Sequence, residues 1–94
     1  MSKPSIMQAE KECFFCRSTV NLECHHVYFG TANRKVSEKH GFTVWLCNRH
    51  HTGSRNSVHQ NRELDLMLKK AMQMVYEIDH SREEFMELIG RNYL

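Results

Sequence analysis

The chain contains no apolar run approaching the roughly 18–20 residues that a helix needs to cross a bilayer. Its opening residues, MSKPSIMQAEKE, lack the apolar stretch and the small-residue cleavage site of a secretory signal. These absences argue against a membrane partner and for a reducing compartment, the cytoplasm. Proline occurs once, at Pro4, and glycine four times. There is no internal repeat and no low-complexity segment, so solenoid and linker-like architectures are excluded. At 94 residues, one domain with one modest core is the most that can form. Residues 1–10 read as a flexible leader, and residues 11–94 as the domain.

Charge is unevenly placed. Residues 30–62 carry six basic side chains (Arg34, Lys35, Lys39, Arg49, Arg55 and Arg62) against one acid, Glu38, whereas residues 63–94 are net acidic. A positive middle third is the footprint expected of a segment that meets a polyanion, although a solvated loop face would look the same.

Alternation of Val20, Leu22 and Cys24 with polar residues predicts a strand from Val20 to Phe29. Residues 30–41 read as a polar, basic loop bounded by two glycines. Phe42 to Leu46 is β-branched and aromatic, a second strand, and Cys47 to His51 forms a helical turn. The apolar series Leu64, Met67, Leu68, Ala71, Met72, Val75 and Tyr76 follows one face of a long helix. A last helix starts at Ser81, with Glu84 completing a capping box and Gly90 ending it. The order is strand, loop, strand, short helix, long helix, short helix: an α+β chain.

Cys13-x2-Cys16 and Cys47-x2-His50 stand thirty residues apart. Each pair can grip one side of a tetrahedral ion, and four protein ligands close the shell, which predicts a structural zinc. Such a staple also supplements a thin core. Buried cysteines acting as small hydrophobes are the plain alternative. Cys24, the remaining cysteine, is expected to be a packed core thiol.

Seven histidines are many for this length, and two tandem pairs, His25-His26 and His50-His51, fall at strand ends. With His50 in the zinc site, His25, His51 and His59 can hold a second divalent ion, leaving His26 as general base. Adjacent residues on a strand point to opposite faces, so the strand must end or bulge for His25 and His26 to share a site.

The succession CxxC, HH at a strand end, a loop, a strand ending Leu46-Cys47-Asn48-Arg49-His50-His51, and a further His resembles the HNH (ββα-metal, His-Me finger) nucleases. Residues 23–62 are most similar to small phage and prophage members, among them recombination-enhancing nucleases that depend on recombinase filaments. The resemblance implies a ββα-metal, treble-clef-like core with a structural zinc and two C-terminal helices. It implies hydrolysis of DNA phosphodiester bonds with 5′-phosphate and 3′-hydroxyl products, in recombination or DNA processing. His26 matches the general base, while His25 and His51 match ligands of a catalytic ion (Mg²⁺, Mn²⁺, Ni²⁺ or Zn²⁺). His59 is similar to an additional ligand, at a longer spacing than usual. Where the family carries its middle asparagine this chain has Phe42, with Asn33 as a candidate substitute. Arg34, Lys35, Lys39 and Arg55 are the expected phosphate contacts, which position DNA without reading sequence. A recombinase filament is the further partner considered. The rival reading is a zinc-binding module without catalysis that binds nucleic acid or a protein.

Overall fold

The computed structural model describes residues 4–94. Two strands, β1 (Leu22–His26) and β2 (Thr43–Cys47), pair antiparallel with Cys24 opposite Trp45 and His25 opposite Val44. Between them lies α1 (Thr31–His40), and after β2 come α2 (Asn48–His51), α3 (Arg62–Tyr76) and α4 (Arg82–Ile89). The fold is α+β, a two-stranded sheet with four helices among the described residues. None of these helices is long and apolar enough to cross a membrane.

The expected loop over residues 30–41 is instead α1. Its residues offer only Val36 as an aliphatic anchor of any size, so no apolar stripe announces a helix, yet Arg34, Lys35, Glu38 and Lys39 are good helix formers. The two glycines are its boundaries: Gly41 takes the left-handed C-cap conformation, φ 76°, that side chains resist. A Cβ on Gly41 would also run into the carbonyl of Pro4.

The phase of β1 differs from expectation by one residue. Val44 and Leu46 are buried on one face of the sheet, and His25, paired with Val44, is buried with them. Cys24 shares the other face with Trp45 and is exposed rather than a packed core thiol, and Val20 is 64% exposed. The reason is that the inward side of β1 is spent on His25 and not on the apolar-looking alternation. Trp45 is met instead by the first residues of the chain. Its backbone N–H donates to Gln8 Oε1 at 2.7 Å, and the Lys11 ammonium stands 4.5 Å from its ring centre. Within the segment expected as a flexible leader, Ser5 Oγ accepts from Met7 N, and Ile6 N donates to Gly41 O. Residues 1–3 of that leader lie outside the described residues.

The core is an aromatic cluster closed by the long helix. Tyr28, Phe42, Tyr76 and Phe85 meet edge-on or tilted, with ring centres 5.3–6.2 Å apart. α3 buries Leu68, Met72 and Tyr76 as its stripe requires, but Met67 is 50% exposed. Asp65, Lys69 and Gln73 are buried in its stead, and each is paired: Lys69 with Asp65, Gln73 with Glu77, Asn92 and the Tyr93 backbone. Buried polar groups that find hydrogen-bond partners can take places on the inward face, so hydrophobic spacing alone misplaces its centre. α4 starts on the Ser81–Glu84 capping box and ends on left-handed Gly90, as expected.

Candidate metal centres

Cys13, Cys16, Cys47 and His50 come together from two turns. Cys13 N donates to Ser18 O and Arg17 N to Cys13 O, a tight turn helped by positive φ at Arg17. Phe14 N donates to Trp45 O, which docks this turn on β2, beside the start of α2. The ligand atoms all lie within 4.8 Å of one another. His50 Nδ1 is 3.2 Å from Cys47 Sγ and 3.5 Å from Cys13 Sγ, and Cys16 Sγ is 3.7 Å from Cys47 Sγ. Zinc bonds to sulfur and nitrogen place neighbouring donors of a tetrahedron about 3.4–3.8 Å apart. These three separations agree with that within a few tenths of an ångström, and this Cys3His cluster can hold a metal such as zinc. Burial alone would raise the Cys13 thiol, but N–H groups of Cys47, Cys16 and Phe15 outweigh it and hold the thiol down at about 6. Cys16 is pushed up: burial and the neighbouring Cys13 and Cys47 sulfurs outweigh the Ser18 backbone bond. A Cys13 sulfur favoured as thiolate beside a Cys16 thiol that resists a second negative charge suits a site that takes up a cation.

His25, His51 and His59 form a second group, their ring nitrogens also within 4.8 Å. β1 supplies His25, α2 supplies His51, and the loop after α2 turns back to supply His59. The long spacing to His59 is bridged by backbone bonds, Val58 N to His50 O and His59 N to His51 O. His51 Nδ1 meets Glu23 Oε1 at 2.8 Å. A carboxylate only accepts, so Nδ1 carries the proton and Nε2 turns a lone pair toward His59 Nε2, 3.1 Å away. That separation is what two ligands of one ion at 2.0–2.1 Å require, about 2.9–3.4 Å. His25 is 2% exposed, and its Nε2 has no hydrogen-bond partner among the described residues. Burial, reinforced by His51, His59, Lys69 and His26, holds this imidazole down at about 3, a neutral ring at physiological pH. Burial and His51 lower His59 as well. An orphaned buried imidazole nitrogen in a cluster with two further imidazoles fits a borderline divalent ion.

His26 lines the same cleft, of about 250 Å³, with Cys24, His25, Phe29, Arg34, His51 and His59. β1 ends at His26 with its pairing unbroken, so the end of the strand and not a bulge lets both histidines border one cleft. His26 also borders the opposite face of the sheet, beside Cys24, Glu38 and Thr43. Its Nε2–H donates to Glu38 Oε1 at 3.0 Å, which leaves Nδ1 as the free lone pair. Glu38 was not visible as a partner in sequence, because it sits twelve residues away on a helix that sequence read as loop.

Of the expected phosphate contacts, Arg34 lines the cleft, whereas Lys35, Lys39 and Arg55 are exposed elsewhere and do not line it. Asn33 does not brace the His26 segment, since its amide donates to Ile89 O at 3.3 Å and pins α1 to α4. Phe42 is fully buried in the aromatic cluster. Bracing comes from elsewhere: Val27 N donates to Phe42 O at 2.9 Å, and the buried Ser37 hydroxyl to Tyr28 O at 2.7 Å. Compared with protein-family models, curated proteins and solved structures, the chain matches none.

Proposed function

We propose that the chain is a metal-dependent endonuclease of the HNH (ββα-metal) type that hydrolyses DNA phosphodiester bonds. The observation that carries this reading is the convergence of His25, His51 and His59, with an orphaned nitrogen on His25, beside a separate imidazole that a carboxylate orients. β1, β2 and α2 would be the ββα unit, and the Cys3His cluster its treble-clef-like zinc staple. A divalent ion held by the three histidines would supply Lewis-acid charge to the scissile phosphate and to the leaving 3′ oxygen. Nitrogen-only donors favour Zn²⁺ or Ni²⁺ over Mg²⁺ and Mn²⁺, which prefer oxygen.

His26 Nδ1 accepts the proton of the attacking water while Glu38 holds the ring and offsets the charge it gains. The water oxygen bonds to phosphorus, the bond to the 3′ oxygen breaks, and that oxygen takes a proton from solvent. The products carry 5′-phosphate and 3′-hydroxyl ends. Arg34 contacts the phosphate within the cleft, and Lys35, Lys39 and Arg55 would act at a distance on the flanking backbone. Ser37 and the Phe42 carbonyl stand in for the family's asparagine by fixing the chain that follows His26. The phage-like resemblance suggests a setting in DNA recombination or processing, with a recombinase filament as a partner.

The test is incubation with supercoiled plasmid and circular single-stranded DNA across Mg²⁺, Mn²⁺, Ni²⁺ and Zn²⁺. Cleavage yielding 5′-phosphate ends is expected. No cleavage under any ion, with the filament present or absent, contradicts the reading and leaves a zinc-binding module.

A further inference from the structure

Phe29 follows two fully packed residues, Val27 and Tyr28, yet it is 44% exposed and forms part of the cleft wall. Its ring stands 5.7 Å from that of His59 and 6.3 Å from that of His25, each inclined to it. Behind it the Lys69 ammonium lies 3.7 Å from the ring centre. Lys69 is buried and paired with Asp65, so the face it covers is turned inward and the exposed part of the ring is the other side. A cation fixed on one face helps to hold the ring in place. An aromatic ring so held, within one nucleotide's reach of a phosphate site, matches the parts of a base-stacking platform.

We propose that Phe29 stacks on an unpaired base beside the scissile phosphate, which makes a single-stranded or locally unpaired DNA strand the preferred substrate. This rests on the nuclease reading for the position of the phosphate. Within a duplex both faces of each base are covered by its neighbours, so a ring presented in the cleft is useful only to a base already out of the stack. Stacking does not discriminate between bases, so the preference is for strand state and not for sequence.

The test is fluorescence anisotropy with labelled oligothymidylate, an abasic strand of the same length, and a duplex. The protein is the zinc-loaded chain carrying His26→Ala, which prevents cleavage. Phe29→Leu keeps an apolar cover over Lys69 but removes the aromatic face, and Phe29→Trp restores one. Zinc content and melting temperature verify folding of each variant. Phe29→Leu is expected to weaken oligothymidylate binding about 5- to 150-fold and Phe29→Trp to recover it, with little change on the abasic strand or the duplex. Equal binding by Phe29→Leu, or the same loss on abasic and thymidylate strands, overturns the proposal. The two readings fail separately. Absence of cleavage by the parent chain with this pattern intact removes the nuclease reading alone, whereas cleavage with Phe29→Leu unchanged in affinity removes the stacking role alone.

Discussion

Glu23→Ala isolates one link of the three-histidine cluster without touching a ligand. The Glu23 carboxylate accepts from His51 Nδ1 at 2.8 Å and so fixes the tautomer that aims Nε2 inward. Loss of such an outer carboxylate commonly costs 10- to 100-fold in metal affinity. The Glu23 side chain is 44% exposed, so water screens it and the lower end applies. A Coulomb estimate agrees: a carboxylate roughly 7 Å from a divalent charge, at an effective dielectric of about 40–80, contributes about 1–2.5 kcal/mol. The expected loss is about tenfold, and Glu23→Gln, which keeps an acceptor oxygen but no charge, should fall between wild type and Glu23→Ala. Calorimetric titration of Ni²⁺ or Mn²⁺ into protein whose Cys3His cluster is already zinc-loaded measures this directly. If Glu23→Ala binds the second ion as tightly as wild type while His51→Ala does not bind it, the carboxylate contact is incidental. If wild type binds no second ion, the reasoning about His25, His51 and His59 fails altogether.

Three further outcomes are expected. Cys47→Ser should lower the melting temperature by about 15–30 °C when free zinc exceeds its dissociation constant a thousandfold, corresponding to about 4 kcal/mol of linked stability, and calorimetry with metal analysis would detect it. Phe42→Asn, which introduces the asparagine typical of HNH nucleases, should destabilise the fold by at least about 3 kcal/mol in urea unfolding and leave cleavage no faster, because Phe42 is a fully buried aromatic and the chain after His26 is braced by backbone. The histidine at position 25 titrates from 6.5 when unfolded to about 3 when folded, so the unfolded chain binds a proton that the folded chain refuses. Its stability contribution is full above pH 6.5 and is lost as pH falls toward 3, at up to about 1.4 kcal/mol per pH unit. Urea unfolding without second-site metal should therefore show a steeper acid loss in wild type than in His25→Leu; equal slopes would contradict the burial argument.

Local signals were readable in the chain itself. The Cys13-x2-Cys16 and Cys47-x2-His50 spacings and the Ser81 cap with Gly90 each depend on residues a few positions apart, and the structure places them accordingly, whereas the apolar stripe of α3 located the helix but not the centre of its buried face. What escaped depends on tertiary packing. α1 carries too few apolar residues to reveal itself, and its single fully buried side chain is the hydroxyl of Ser37. The phase of β1 is set by where His25 must go, against the alternation of Val20, Leu22 and Cys24. Glu23, Glu38 and Lys69 become partners of His51, His26 and Phe29 only when distant elements meet. For the histidines themselves, the tandem pairs were the usable signal, because a strand end and a helical turn fix where each imidazole emerges.

The most direct measurement compares wild type with His26→Ala on supercoiled plasmid and single-stranded circles under each divalent ion, with bound zinc assayed in parallel. The account predicts that cleavage disappears in the variant while its zinc and its second-site affinity persist. Undiminished cleavage by His26→Ala would contradict the assignment of His26 as the base and with it the proposed chemistry of the cleft.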